Sequence, residues 1–390
     1  MHKRAFLLIL FAALIFLINN MYLGGYLHSI ETLSIELMTS PEALTEFRIT
    51  NVEPFKFRIV FQQLVKYTSS IINPQSADVF YFTYLSYSLL FFVVSILAYY
   101  LLFFTITRDK KTSFFASIFI LLSPFYLMAF SIPVHTREDT LAYSLICFGL
   151  VALLKNKYNL LILIIIIATA TRETTMVLPL VILFFPGYSI FKRVFPLVIS
   201  FIVFFAIRLV LAKSGSSLDN QIDTGFFYNL NHKISSIAFP IICFHILWVY
   251  YFMMIKIKNL KIVSVSQWLN LSSIVVLLIV SLTTVVFGRL NEIRLLAISA
   301  PWIMAVILIS KEKWWIIPGK TAIIISYISC TLIGIIVAAI LQEQELFLQM
   351  KKYYVPYSEW TAIFISYGLI LTIGILKLIL SYRHEYQKVN

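Results

Sequence analysis

Charge is the first thing this chain is short of. Asp, Glu, Lys and Arg make up 13% of its 390 residues, about half the share of an ordinary soluble domain, so a water-facing globular surface cannot be built from it. Cysteine is scarce too. Cys147, Cys243 and Cys330 each lie in an apolar run without a neighbouring Cys, which argues against a disulfide framework or a thiolate metal site and leaves them packing roles. No Walker A loop, no GxGxxG after a strand and no GxSxG occurs, so the usual ATPase, dinucleotide and serine-hydrolase readings fall away. Repeats, low-complexity tracts and flexible linkers are absent as well. The chain therefore reads as one membrane domain, residues 1–390, without a soluble enzymatic domain, and any chemistry falls to loops and helix ends.

Hydrophobic residues fill the space: 60% of the chain, with a mean hydropathy of +0.90. Apolar runs cover 5–23, 79–104, 114–131, 140–154, 160–170, 176–186, 194–212, 238–254, 267–287, 295–309, 321–341 and 361–381. They predict an all-α, polytopic transmembrane bundle of about twelve spans, within a range of ten to thirteen, although several runs are shorter than the ~20 residues of a perpendicular span. The two short runs around Thr171-Arg172-Glu173 predict either one helix interrupted at the charged turn or a re-entrant pair, which needs protein or a water-filled cavity around it.

Lys and Arg collect in alternate loops if the spans are counted correctly. With Met1 inside, the cytoplasmic pieces hold 18 of the 31 basic residues and 3 of the 18 acidic ones. Both termini are then cytoplasmic, and the net charge of +13 is a topology signal rather than a sign of nucleic-acid binding. The N-terminal run lacks a small-residue cleavage pattern and is expected to stay as the first helix. No usable outer Asn-x-Ser/Thr acceptor occurs, which fits a bacterial inner membrane.

Among the outer loops the longest is residues 24–78. From Ile30 to Leu37 and from Phe55 to Tyr67 its apolar positions recur at three and four residues, predicting amphipathic helices in the interface. Ionised groups at the edge of hydrocarbon are costly, roughly 2.5–3.5 kcal/mol each at a helix centre and less near the interface, so several at one level point to a site. By the alternation above, Arg137-Glu138-Asp139, Arg172-Glu173, Arg208 and Arg289 to Arg294 all face outward. An Arg there can hold a phosphate by two N–H groups, and a nearby carboxylate can orient it or accept a proton.

Each group also has a plainer role. Glu138 and Asp139 suit the positive end of the next helix; Arg172 with Glu173 could fix a helix break as a salt link; Arg208 could snorkel to the interface. Arg289 and Glu292 share a helical face, leaving Arg294 pointing elsewhere. Candidate bases in the long loop are Glu31, Glu36 and Glu53, with Arg58 one turn beyond Pro54. His135 and His232 lack a HxxxH partner, so zinc is not indicated. No metal ligand set is assigned, while a divalent cation held by Glu138 or Asp139 with the loop acids is compatible with hard oxygen ligands.

These residues, in order, resemble the GT-C glycosyltransferase superfamily. The resemblance rests on an acidic, amphipathic first outer loop with Pro54-Phe-x-x-Arg58, then Arg137-x-Asp139, Arg172-Glu-Thr174 and Asn291-Glu-x-Arg294, and covers residues 1–310. It implies a multispan transferase that takes a sugar from a polyprenyl-phosphate carrier and passes it to a lipid or glycan acceptor at the outer face. In that scheme Arg58, Arg137, Arg172, Glu173, Arg208, Arg289, Glu292 and Arg294 make up the phosphate and substrate site. The base is drawn from Glu31, Glu53, Glu138 and Asp139. The chain departs from the commoner pattern in having no Asp directly after the first span and no Asp-x-Asp; Glu31, preceded by His28, is the nearest acid. Two other readings are an O-antigen or capsule polymerase and a non-enzymatic transporter or flippase of lipid-linked saccharides.

Overall fold

An apolar chain must satisfy its backbone N–H and C=O groups within itself, and helices do so segment by segment. The computed structural model describes residues 3–17, 59–73, 77–123, 125–126, 137–211, 226–231, 244, 247, 251–252, 255, 264–287 and 296–309, and among them helices occur without strands. In chain order these are α1 (3–17), α2 (Ile59–Ile72), α3 (Ala77–Thr107), α4 (Lys110–Leu122), α5 (Arg137–Leu154) and α6 (Tyr158–Thr171). A 3-10 turn (Glu173–Met176) leads into α7 (Val177–Ile182). Then come α8 (Ile190–Leu211), the single turn α9 (Tyr228–Asn231), α10 (Val265–Phe287), a second 3-10 turn (Leu296–Ser299) and α11 (Ala300–Ile309).

Three stretches within these, Phe82–Thr107, Ile190–Val210 and Val265–Val286, are long and apolar enough to cross a membrane. Their polar side chains do not disturb them. In α3, Thr83, Ser88, Ser95 and Thr105 return their hydroxyls to the carbonyls of Val79, Tyr84, Phe92 and Leu101, so these four donors are satisfied within the helix.

Packing closes the helices into a ring. α3 lies against α5, α5 against α6, α6 against α8, α8 against α7, α7 against α10, α10 against α11, and α11 returns to α3. Their relative directions follow from a few cross-contacts. Thr169 of α6 hydrogen-bonds Ser200 of α8 at 2.6 Å, and Lys192 at the start of α8 lies over the ring of Tyr158 at the start of α6, so these two run parallel. Phe16 of α1 meets Phe92 of α3 with ring centroids 5.9 Å apart and Arg4 acts on the Asp109 carboxylate, which sets the start of α1 beside the end of α3. Trp268, near the start of α10, donates to the carbonyl of Val181 at 2.8 Å and stands edge-on to Phe185 at 5.1 Å, so α7 descends to where α10 begins.

One end of the ring therefore carries most of the basic groups among the described residues. Lys3, Arg4, Arg108, Lys110, Lys111, Lys155, Lys157, Lys192 and Arg193 all sit in or beside the turns there, with Asp109 among them. The other end carries Arg137, Glu138, Asp139, Arg172 and Glu173. α2 packs on α3 and α6 through Phe61 and Val65, which cluster with Tyr84, and through Thr68, whose hydroxyl bonds that of Tyr87 at 2.9 Å. Tyr84 and Tyr87 lie near the start of α3, so α2 sits at the acidic end. Of the face expected on α2, Phe61 and Val65 are buried while Leu64 is exposed; residues 18–58, including the expected helix over Ile30 to Leu37, lie outside the described residues.

Two turns at the basic end show how the hairpins are made. After α5, Asn156 takes φ 54°, Lys157 donates to the carbonyl of Ala152 at 2.8 Å and Asn156 to that of Leu153 at 3.0 Å, the paired bonds of a Schellman C-cap. After α3, Asp109 caps α4 by accepting from the N–H groups of Lys111 at 3.1 Å and Thr112 at 2.9 Å. The Thr112 hydroxyl bond comes first among the causes, ahead of these N–H groups, that hold the Asp109 carboxyl below its usual range. A depressed carboxyl contributes stability that is complete above its unfolded value and lost as pH falls through the folded one. Asp109→Ala should cost about 1 kcal/mol. Asp109→Asn, which still caps, should mainly remove the acid-dependent part. Thermal midpoints in detergent between about pH 5 and pH 3 would test this: the wild-type midpoint falls more steeply on acidification than that of Asp109→Asn.

At the centre α5 is held close to its neighbours by Gly149. A Cβ added there would come 2.4 Å from Leu178 Cδ2 and 3.6 Å from Ile164 Cγ2, so small size lets α5, α6 and α7 approach. Gly149→Val should destabilise by about 1–3 kcal/mol through overpacking, and adding Leu178→Ala should recover part of the loss. If thermal unfolding of the double variant is as impaired as the sum of the two single ones, the close approach is not what Gly149 provides.

Candidate functional site

The run from Leu160 to Phe185 is continuous in hydropathy, yet its helix stops at Thr171. Pro179 gives one reason: lacking an N–H, proline is tolerated in the first turn of a helix but not in its interior, so the helix that contains it has to start just before it. Arg172 supplies the break as a single extended residue, φ −160° and ψ 133°. Its N–H still bonds Ala168 at 2.9 Å, and its carbonyl accepts the Thr175 N–H at 3.1 Å and the Thr175 hydroxyl at 2.7 Å. Both backbone groups are thus satisfied without helix.

The Arg172 side chain is buried, 1% exposed, and its guanidinium is ion-paired with the carboxylate of Asp139 in the first turn of α5. The sequence neighbour Glu173 is half-buried, while Glu138 and Asp139 are fully buried. Capping alone would leave these acids at the protein surface; instead the approach of α6 to α5 draws Asp139 into an ion pair across the two helices. The heights agree. At 1.5 Å per residue, Asp139 stands about 22 Å above Leu154 along α5 and Arg172 about 21 Å above Tyr158 along α6.

Beneath the pair lies a column of tyrosines that sequence reading missed. Tyr143, one turn below Asp139, has its ring centroid 6.4 Å from that of Tyr126, which lies 6.2 Å from that of Tyr99. The Tyr126 hydroxyl bonds Ser95 and donates to the carbonyl of Phe92 at 3.0 Å. Tyr99 is fully buried and its hydroxyl has no hydrogen-bond partner among the described residues. Spacing offered one clue, since Asp139 and Tyr143 share a helix face at i, i+4, but Tyr99 and Tyr126 come from other helices.

The remaining expected residues fall differently. Arg137 opens α5, with its side chain outside the description. Arg208 lies in the last turn of α8, its guanidinium 3.5 Å from the centroid of the Phe204 ring, a cation–π contact in the turn where the helix dipole also favours a cation. Glu31, Glu36, Glu53, Arg58, His135, His232, Arg289, Glu292 and Arg294 lie outside the described residues, as do the runs 321–341 and 361–381. Among the described residues no three His, Cys, Asp or Glu side chains converge as a metal site. Compared with known proteins, the chain matches no family model, and no curated protein and no solved structure is significantly similar to it.

A buried pair of this kind is strongly dependent on both partners. Removing one leaves a charge in apolar surroundings and costs about 3–5 kcal/mol, whereas replacing both by apolar groups of like volume is near neutral. Asp139→Leu and Arg172→Met should each lower the thermal midpoint markedly, and the double variant should recover most of it. A double variant as unstable as the worse single one would sink the assignment.

Proposed function

We propose that this chain is a membrane glycosyltransferase that moves a sugar from a polyprenyl-phosphate carrier to a lipid or glycan acceptor at the extracytoplasmic face of a bacterial inner membrane. The observation that carries the reading is the Arg172–Asp139 pair at a helix break. A guanidinium kept at the end of a broken helix, in a chain this apolar, is an expensive feature for stability alone. It is well suited to an anion brought in by a lipid.

The finer architecture belongs to the same proposal: a bundle of about twelve spans, both termini cytoplasmic, the basic end of the ring inside and the acidic end outside. In a hydrocarbon layer of about 30 Å, a charge about 21 Å above the inner helix ends lies roughly 9 Å beneath the outer boundary. α11 with its preceding 3-10 turn, Leu296–Ile309, has the length of α6, and Arg294 precedes it by two residues. A phosphate at the level of Arg172 has to be brought by a lipid carrier, and a free sugar nucleotide in water gains no advantage there.

In this scheme Arg172, Arg294 and Arg137 hold the carrier phosphate, and Asp139 keeps Arg172 oriented. A carboxylate of the first outer loop, Glu31 or Glu53, takes the proton of the acceptor hydroxyl. The acceptor oxygen attacks the anomeric carbon on the face opposite the phosphate, the glycosidic C–O bond breaks, and polyprenyl phosphate leaves with the bonding electron pair. Most of the acceleration comes from stabilising the charge that gathers on that phosphate. The contact of α2 with α6 supports the scheme, since Arg58 directly precedes α2 and Glu53 precedes it by six residues.

A second reading, a flippase for lipid-linked saccharides, has one observation in its favour: broken and short helices are common where transporters bind substrates, and both the α6–α7 pair and α11 are short. Transfer of labelled sugar from polyprenyl-phosphate donors by protein in nanodiscs separates the two. Arg172→Lys, which keeps the charge but not the fork, should reduce turnover about a hundredfold or more, and Glu53→Gln tests the base. Donor binding that depends on Arg172 without any transfer, together with protein-dependent movement of the donor across vesicles, would replace the transferase by the flippase. Neither binding nor transfer across a broad donor panel would end both readings.

A further inference from the structure

The basic end of the ring carries an arrangement that sugar transfer does not use. At the corner between α5 and α6 the Schellman turn passes directly into α6 through Lys157, which stands at the N-cap without a side-chain cap bond. The N–H groups of the first turn of this 14-residue helix therefore face outward without a side-chain acceptor, and such helix ends attract phosphate.

Other observations converge on the same corner. Tyr158 is the first residue of α6, and Lys192 Nζ from α8 lies 5.6 Å from the centroid of its ring. Tyr188, 7% exposed, stands edge-on to Tyr158 with ring centroids 5.5 Å apart. The hydroxyls of both are shielded and have no hydrogen-bond partner among the described residues, whereas a buried hydroxyl normally has one. Arg193 donates through Nε to the Tyr188 carbonyl at 2.7 Å and through a terminal nitrogen to that of Pro186 at 3.5 Å, holding the turn. Lys155, Lys157 and Lys192 are exposed, and the sole acid between Lys155 and Arg193 in sequence, Glu173, belongs to the opposite end.

The flanks of the corner indicate what kind of phosphate fits. Leu160 and Leu163 on α6 are 51% and 54% exposed, and Phe191, Val194 and Val198 on α8 form a second exposed apolar stripe. Both stripes begin at the cationic cluster and run away from it along the helices. A free anion needs no such stripes; a lipid needs both parts.

We propose that this corner binds one anionic phospholipid, its headgroup phosphate seated between the start of α6, Lys157 and Lys192. The hydroxyls of Tyr158 and Tyr188 become further donors once the exposed Lys192 ammonium moves from the Tyr158 ring to the phosphate, and its acyl chains lie along the exposed faces of α6 and α8. The proposal goes beyond the transferase reading and rests only on the chain being embedded in a bilayer.

Native mass spectrometry of the full-length protein in detergent, titrated with phosphatidylglycerol or phosphatidylcholine, tests it. Wild type should retain one phosphatidylglycerol about tenfold more tightly than phosphatidylcholine, whose phosphate is alike but whose fixed choline cation is repelled by Lys157 and Lys192. Lys157→Gln with Lys192→Gln should abolish that preference. Tyr188→Phe, which keeps the ring packing and so the fold, should weaken it by a smaller factor. Lys110→Gln with Lys111→Gln, at the neighbouring α3–α4 corner, should leave it intact. Three results would overturn the site: a preference that survives in the Lys157/Lys192 and Tyr188 variants, a preference lost equally in the Lys110/Lys111 control, or displacement of the lipid by inorganic phosphate at equal concentration.

Discussion

A guanidinium withdrawn from water has to be neutralised where it stands, and the bond between Arg172 and Asp139 is the constraint around which the ring is organised. It requires α5 to stand beside the end of α6, with Asp139 and Arg172 at equal height. It requires α6 to end in an extended residue whose carbonyl Thr175 can take up. It also requires close approach of α5, α6 and α7, which Gly149 permits. Each requirement is met by a different kind of interaction, namely charge, hydrogen bonding and steric fit, and losing any one disturbs the others because all three converge on the same three helices.

Polarity is distributed by the same logic. Four hydroxyls of α3 bond back to its own carbonyls, Trp268 gives its N–H to the end of α7, and Asn229 donates to the carbonyl of Val285 at 3.1 Å near the end of α10, where carbonyls lack helical partners. Charge is held away from the hydrophobic interior of the ring and gathered at its two ends, which differ in kind. At one end charges are mostly exposed and basic; at the other, Glu138, Asp139 and Arg172 are buried together.

The long helices were legible from hydropathy alone, because a run of twenty apolar residues has few other fates in a chain so poor in charge. The runs 79–104, 194–212 and 267–287 differ from α3, α8 and α10 by four residues or fewer at their ends. The break at Thr171 to Glu173 was legible too, as charge interrupting an apolar stretch. The start of α5 was legible within three residues, with Glu138 and Asp139 in its first turn where acids suit the positive end of a helix; their burial was not, because it depends on what packs against that turn. Arg172 lies next to Glu173 in sequence, yet its ion-pair partner is Asp139, because the pairing depends on the direction of an extended residue and the position of α5. The tyrosine column was hidden for a similar reason: Tyr99, Tyr126 and Tyr143 come from separate segments and meet only in the fold.

The shortness of α6 and α7 also bears on how such a chain enters a membrane. Fourteen residues of α6 and six of α7 are each too short to cross a bilayer as an independent span, and the segment between them opens with a cation, Arg172, that hydrocarbon rejects. In the proposed layout the pair is inserted as one hairpin, after α5, into a place where Asp139 is already waiting. Synthesis from the N-terminus supplies that order, because Asp139 leaves the ribosome well before Arg172. The same two residues in reversed order along the chain would close the same ion pair, yet would send the cation in first, with nothing to receive it.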